Sequence, residues 1–576
     1  MKTENVEAFR YASKKTLYVL AASALVISSQ LANAQTVLPA DAKATCSVSA
    51  VEFAGWFTSG TVTANGGVEP ADSVIFPNTP NCSFYKWSEQ MFLWLTSPAP
   101  PKLGKGSHVF NSPVFYDVSP LENGKRTLIP NAPDKIRIFS PRISQVGPRG
   151  RPVAFDKTGK MFTVVRPELG PSGKPLIRNK AGDKIEIGRT QIASDGKPVF
   201  LDKAGKVIDH RVTPSGRPFL ADKAGKAIDF RLNKITLNGK QFFLDGRGNV
   251  IETEQGQAGG GALIAQNGSI VYYALQVNDV YAYFATGAKN GGITPPPTRF
   301  PTMVPELNAI VAFGLAHSKT FPDANALAVE LKSSWIETTG LDASKYVTIT
   351  ATIPTFDTSD ATHWVANGTK QAQLALVGLH IVGSTRGHPE MIWSTFEHID
   401  NTRNAQYTYT NTADAPITVP QNDAGTWLFS TTPAAATPNQ QLMTVSGSDI
   451  VATSPPTPIG PSDVLRLSPW GSPGSSAAKN TEVIAINNSV IGMLAAGDVR
   501  KNYILIGSTW TIGGAPPNGS NEVGTNQLAN STMETFLQPS NCFMCHSDGM
   551  LGTAPGPDGF SGGLSHIWEP IRPLFP

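Results

Sequence analysis

The sequence predicts an α+β protein: a β-rich main body, interrupted by an inserted array of about five β-hairpin repeats and ending in a short helical C-terminal segment. Three observations carry this expectation. Gly 53 and Pro 46 among 576 residues describe a turn-rich chain rather than a helical bundle. Stretches that alternate apolar and polar residues stand beside stretches with helical spacing, so strands and helices share one body. Between Gly150 and about Gly256 the chain repeats itself, which sets that stretch apart from the rest.

At the N-terminus, Arg10, Lys14 and Lys15 precede an apolar run from Leu17 to Ile27 that gives way to Ala32-Asn33-Ala34. This is the pattern of a secretory signal over residues 1–34, with a mature chain starting at Gln35. The run falls short of the ~20 residues of a membrane-spanning helix, which makes an uncleaved anchor the alternative. No later stretch is long and apolar enough to cross a membrane. The expectation is a periplasmic or secreted bacterial protein without an integral span after signal cleavage. Lys+Arg 47 against Asp+Glu 44 leaves a net charge of +3, and removing the signal brings it nearer zero. Such a balance gives no electrostatic reason for nucleic acid as a partner.

The main body falls into residues 35–149 and 257–525. Ser83 to Leu95 places Trp87, Met91 and Leu95 on one helical stripe, and Tyr346 to Ile353 alternates as a half-buried strand. Further strands are expected at Gln373 to Val382, Met391 to His398 and Tyr503 to Trp510. Helices are expected at Val271 to Ala285, Asp323 to Trp335, Val483 to Ala496 and Gln527 to Leu537. Of the four cysteines, Cys46 and Cys82 are widely spaced and, in an oxidising compartment, read as a structural disulfide. Two buried free thiols are the competing reading.

The inserted array spans residues 150–256. Its units begin at Gly150, Gly173, Gly196, Gly216 and Gly239. Six residues on stands Asp156, Asn179, Asp202, Asp222 or Asp245, and three further on Gly159, Gly182, Gly205, Gly225 or Gly248. An Asp or Asn opening a turn that a glycine closes is the chemistry of a tight hairpin. Units this short cannot bury a face alone and must stack or lie along the body. Their basic residues fit a solvated edge that blocks aggregation, or else a binding surface.

Residues 526–576 carry the chemistry. Asn541-Cys542-Phe543-Met544-Cys545-His546 contains Cys-x-x-Cys-His, the attachment sequence of a covalent haem c. Two thiols three positions apart on a helical turn can bond two vinyl groups of one porphyrin, and the next histidine reaches the iron from the proximal side. A disulfide between Cys542 and Cys545, or zinc, are the bland alternatives. His566 lies twenty residues beyond His546 and is the first candidate for the distal ligand. Met533, on the preceding segment, is the weaker candidate, Met550 would fall on the proximal side, and an open iron position is the remaining option.

The motif resembles that of the c-type cytochromes. In the common small cytochrome c domain the motif lies near the start, with a methionine ligand many tens of residues later; here only about thirty residues follow His546. The resemblance therefore implies one haem grafted onto a larger body. Glu330 to Trp335, Leu376 to Asn401 and Leu528 to Gln538 are similar to uncharacterised exported bacterial proteins that end in such a motif, a resemblance that brings no established activity. A second polar cluster, His380, His388, Glu397, His398 and Asp400, is a weak acid-base or metal candidate. Alternation puts Glu397 and His398 on opposite faces, and His380 is the best single residue because its strand is otherwise apolar.

Three functions follow. The first is electron transfer with a redox partner protein or a small-molecule electron donor or acceptor. The second is a haem-dependent periplasmic oxidoreductase with a substrate pocket in the main body, and the third a surface-interaction module using the hairpins. No dinucleotide fingerprint, Gly-x-Ser-x-Gly elbow or phosphate loop supports nicotinamide, flavin, hydrolase or nucleotide chemistry.

Overall fold

The computed structural model describes residues 38–104, 106–120, 125–131, short segments between 137 and 251, and 261–576 apart from 447, 519, 539–540, 547–563 and 569. The expected signal, residues 1–34, lies outside the described residues, as does Met550. The fold is mixed, with few helices around a strand-rich sheet.

The main sheet has twelve strands: β1 Phe115–Val118, β2 Leu128–Pro130, β3 Arg137–Ile138, β4 Tyr272–Asn278, β5 Val329–Glu337, β6 Thr348–Asp360, β7 His363–Thr385, β8 His388–His398, β9 Met443–Ser446, β10 Asp449–Ala452, β11 Tyr503–Thr511 and β12 Glu522–Gly524. The spine runs β2-β1-β4-β5-β7-β8-β11-β12; β6 and β10 pair with β7, β9 with β10, and β3 with β6. Among these pairings only β3 with β6 is parallel. The expected strands at 346–353, 373–382, 391–398 and 503–510 are all present.

Five longer helices are described: α1 Ala50–Trp56, α2 Asn81–Leu95, α3 Asp279–Asn290, α4 Val304–Ala316 and α5 Ala477–Met493. Helix α2 lies on one face of the sheet. Phe92 stacks on Phe396 with ring centroids 4.4 Å apart, Phe84 stacks on Trp510 at 3.9 Å, and the Ser88 hydroxyl meets Ser394 at 2.6 Å. The stripe read at Trp87, Met91 and Leu95 is buried in this core. Cys46 and Cys82 form a disulfide that ties the chain before α1 to the first turn of α2.

Three expected helices are corrected. The stretch 271–285 is strand β4 followed by α3. Asn278 divides them by accepting from the Tyr281 amide at 3.0 Å, an N-cap that satisfies an orphan donor of the new helix. The stretch 323–335 leads into β5, whose two-residue alternation fits the neighbours it finds on both sides, β4 and β7. The stretch 527–537 is a run of turns. There the Asn530 side chain accepts from the Thr532 amide at 2.9 Å and the Thr532 hydroxyl at 2.7 Å, competing with helical bonding. The helix expected at 483–496 is present but starts earlier and ends at Met493.

Within 150–256, short antiparallel strand pairs are described, for example Val153–Phe155 with Met161–Thr163 and Leu176–Arg178 with Lys184–Glu186, while Pro198–Leu201 pairs with Arg189–Ile192 of the unit before it. At Asn179 the turn has the expected chemistry: its carboxamide oxygen accepts from the Asp183 amide at 2.8 Å, and Gly182 takes φ 98°. Ile177, Ile187, Phe200 and Ile208 of successive units form a small apolar cluster of their own. On either side of this stretch the chain rejoins the same sheet, Phe115 of β1 pairing with Asn278 of β4. Among the described residues, no helix is long and apolar enough to cross a membrane.

Candidate functional site

The site is assembled on the face of the sheet opposite α2. Register places Lys332 of β5 beside His380 of β7, and His380 beside Thr395 of β8. The neighbouring rows are Glu330, Val382 and Trp393 on one side and Ser334, Gly378 and Glu397 on the other. Alternation along each strand turns these residues to one face, while Leu331, Trp335, Leu379, Ile381 and Phe396 enter the core with α2.

The C-terminal segment runs across this polar face and is fastened to it row by row. Glu397 accepts from the Ser531 amide at 2.8 Å and from the Ser531 hydroxyl, and it pairs with buried Arg466 at 2.6 Å. The hydroxyls of Ser334 and Thr532 meet at 2.6 Å. Gly378 permits this approach, since a Cβ there would sit 2.6 Å from Ser334 Oγ and 2.7 Å from Thr532 Oγ1. One row on, Glu534 bonds Lys332 Nζ at 2.7 Å and His380 Nε2 at 2.9 Å. Burial raises this carboxyl, but the Lys332 and His380 groups outweigh it and hold Glu534 far below the ordinary carboxylate range. The last row receives the motif: Trp393 packs on His546, ring centroids 4.3 Å apart, and edge-on to Phe543 at 5.8 Å.

Cys542–Cys545 is a single helical turn, continued by the His546 amide donating to the Cys542 carbonyl at 2.9 Å. Cys542 is a free thiol. Burial, and next the charge of Glu534, push it up to about 12. That is the opposite of the depressed pKa that makes a redox dithiol reactive. The Cys545 side chain lies outside the described residues.

His546 Nδ1 lies 2.9 Å from the Leu564 carbonyl oxygen. A carbonyl can only accept, so Nδ1 carries the proton and Nε2 keeps its lone pair. Burial and then the neighbouring His566 drive the His546 pKa well below its ordinary value. The ring is therefore neutral, the form in which an imidazole binds a metal. His566 stacks on His546 with centroids 4.0 Å apart and planes 14° from parallel. Two residues twenty apart in sequence are thus in direct ring contact, an arrangement that the expectation of His566 as a distal ligand did not include.

The chain around His566 is held firmly. Ser565 joins Tyr281 of α3 at 2.8 Å and Glu330 at 2.6 Å. Lys289 donates to the Ile571 carbonyl at 2.9 Å, and Phe575 stacks on His317 at 4.1 Å.

Other candidates part company. Met533 is buried with Tyr273, Ile336 and Val377, a different cluster from the one that takes Phe543, Leu564 and Trp568. Of the polar cluster, only His380 faces the C-terminal segment through a carboxylate of its own, Glu534. His388 pairs with Glu390 at 2.8 Å in the core, and Glu397 is consumed by Arg466 and Ser531. His398 stacks on Tyr346, bonds the Lys345 carbonyl at 3.2 Å and is pulled by burial down to about 3. Asp400 touches it only through its amide. Sequence reasoning missed Glu534, Trp393 and the site roles of Lys332 and Glu330; the charged alternation within β5 was the available signal for the last two.

Among the described residues no group of three or more His, Cys, Asp and Glu side chains gathers to hold a bare metal ion. A porphyrin asks less of the chain, since it supplies four of the iron's ligands itself and needs only axial donors and thioether anchors. No protein family, curated protein or solved structure matches this chain, so what the site can do has to be read from its own residues.

Proposed function

We propose that this chain is an exported monohaem c-type cytochrome-like protein that transfers electrons, its haem held by Cys542, Cys545 and His546 with His566 as the distal ligand. The observation that supports it best is the His546 contact with Leu564: the motif histidine is neutral, fixed in one tautomer and left with Nε2 for a metal. The high pKa of Cys542 weighs against the redox-dithiol alternative. When bound, haem c supplies a one-electron iron couple. Trp393 packs on the His546 ring, and Phe543 and Trp568 are buried in the same apolar cluster. Cys542 and Cys545 would anchor the group, His546 would offer it Nε2, and His566 would have to give up its stack on His546 to serve as the second ligand.

The hairpin stretch 150–256 is assigned as an insertion, because the strands on either side of it are sheet neighbours. Export places the protein in the periplasm or outside the cell, where haem is attached. The test is the spectrum of the protein exported from a host with haem-attachment machinery. Cys542→Ser with Cys545→Ser should abolish covalent haem, and His566→Ala should turn a low-spin spectrum high-spin. An unchanged spectrum in His566→Ala would exclude it as ligand. Loss of the spectrum on deleting 150–256 would show that stretch to be part of the core.

A further inference from the structure

Residues 564–576, of which 569 lies outside the described residues, touch the motif histidine twice. The Leu564 carbonyl accepts from His546 Nδ1 at 2.9 Å. Two positions on, the His566 ring covers the His546 ring with centroids 4.0 Å apart. Rings at that separation are already in van der Waals contact, so nothing can lie on this face of His546 until His566 moves.

The stretch is docked at discrete points. Ser565 bridges Tyr281 of α3 at 2.8 Å and Glu330 of β5 at 2.6 Å. Lys289 donates to the Ile571 carbonyl at 2.9 Å, and the Leu574 amide donates to the Thr286 hydroxyl at 3.1 Å. A parallel bridge joins Ile571 to Arg126, with the Arg572 amide donating to the Arg126 carbonyl at 2.9 Å. Trp568 meets Phe284 at 5.4 Å and Phe300 at 5.6 Å. With Ile567 and Ile571 it enters the apolar cluster that buries Phe543 and against which Cys542 packs. The elements underneath are closed by contacts of their own. The Thr286 hydroxyl also donates to the Ala282 carbonyl of its own helix at 2.8 Å, Ile293 and Phe313 lie against Gly287 of α3, and the motif turn closes through the His546 amide on the Cys542 carbonyl at 2.9 Å. A layer laid over closed elements can open locally, at a free energy below that of global unfolding.

We propose that 564–576 is an autoinhibitory strap, closed in the arrangement described, and that the motif becomes reachable to a cofactor or partner only when the strap lifts. Ser565 is the latch. It is held from two elements and stands between Leu564 and His566, so freeing it releases both contacts on His546 together. The proposal rests on the haem reading for what the motif receives, and on contacts within the chain for what keeps the motif closed.

The experiment follows hydrogen exchange of the strap and alkylation of Cys542 by iodoacetamide in the full chain. The chain is exported without haem-attachment machinery and carries Cys545→Ser, so that no disulfide takes the thiol. Cys542 should react far more slowly than in the denatured chain, and the strap peptide should exchange by local opening, faster than β11. Ser565→Ala removes the latch and Lys289→Met a second fastening. Each should raise strap exchange and Cys542 alkylation together, roughly tenfold, with β11 unchanged. Unchanged rates in both variants overturn the proposal, as does faster strap exchange without faster alkylation, which would show the motif to be reachable under a closed strap. A rise shared by β11 would mean general loosening and overturns it as well. Haem attachment is read on a separate sample from a host with the machinery, so failure of the haem reading and failure of the strap are told apart.

Discussion

The two faces of β5, β7 and β8 are made of alternate residues of the same strands, yet they are closed in opposite ways. One is sealed by α2 through stacked rings such as Phe92 on Phe396. The other is sealed by an irregular segment through charge pairs and hydroxyls, among them Arg466 with Glu397 and Thr532 with Ser334. Apolar packing is non-directional and needs only shape. A polar seam demands one partner for each buried group and so fixes position. The second face therefore sets the motif and His566 at a defined place, while the first supplies the stability that makes this possible.

The largest effects should come from breaking each seal at its centre. Arg466→Met leaves Glu397 buried without its guanidinium and should cost about 3–5 kcal/mol, and Phe92→Ala should cost about 3–5 kcal/mol through its cavity. The comparison is sharpened by how they fail. Limited proteolysis should release the C-terminal segment first in Arg466→Met, whereas Phe92→Ala should lower the whole thermal transition; identical cleavage patterns would erase the distinction. Replacing both Cys46 and Cys82 by serine should lower stability by about 3–4 kcal/mol in chemical denaturation, and a loss under 1 kcal/mol would mean the bond only decorates α2.

Glu89 of α2 is a carboxyl on the apolar side, with Oε1 unpartnered among the described residues, and burial raises it from 4.5 to about 8. The folded state then binds the proton more tightly than the unfolded one. Stability is fullest below pH 4.5 and declines as pH rises through about 8. Glu89→Gln should remove that decline, a gain on the order of 3 kcal/mol at pH 8 over pH 4.5; an unaltered pH profile would show the carboxyl to be solvated. The smallest effect belongs to one rung of the seam. Thr532→Val should cost about 1–3 kcal/mol by leaving Ser334 without that partner, and a neutral result in calorimetry would mean that water substitutes for it.

Periodicity made the apolar face readable. The stripe at Trp87, Met91 and Leu95 and the strands around Met391 and Tyr503 follow from local spacing, and the cysteines announced both the disulfide and the motif. The polar face was less legible because its partners are far apart: Lys332 and Glu534 are separated by 202 positions, and no local pattern ties a strand lysine to a glutamate in a run of turns. The helix expected before the motif failed for a related reason. Gln527 to Leu537 has helical composition, but Asn530, Ser531 and Thr532 spend their side chains on the backbone and on Glu397, and the sheet beneath dictates the shape. Spacing singled out His566 as a candidate ligand opposite His546, but the direct stack of the two rings and the Leu564 carbonyl that fixes the tautomer could be found only in three dimensions.

The most direct test of the central claim is acid-acetone extraction of the protein exported with haem-attachment machinery, followed by oxidised and dithionite-reduced spectra of the polypeptide. Haem that stays with the chain, lost in Cys542→Ser with Cys545→Ser and giving a low-spin reduced spectrum, is the predicted result. A colourless polypeptide after extraction would contradict it and return Cys542 and Cys545 to the chemistry of ordinary thiols.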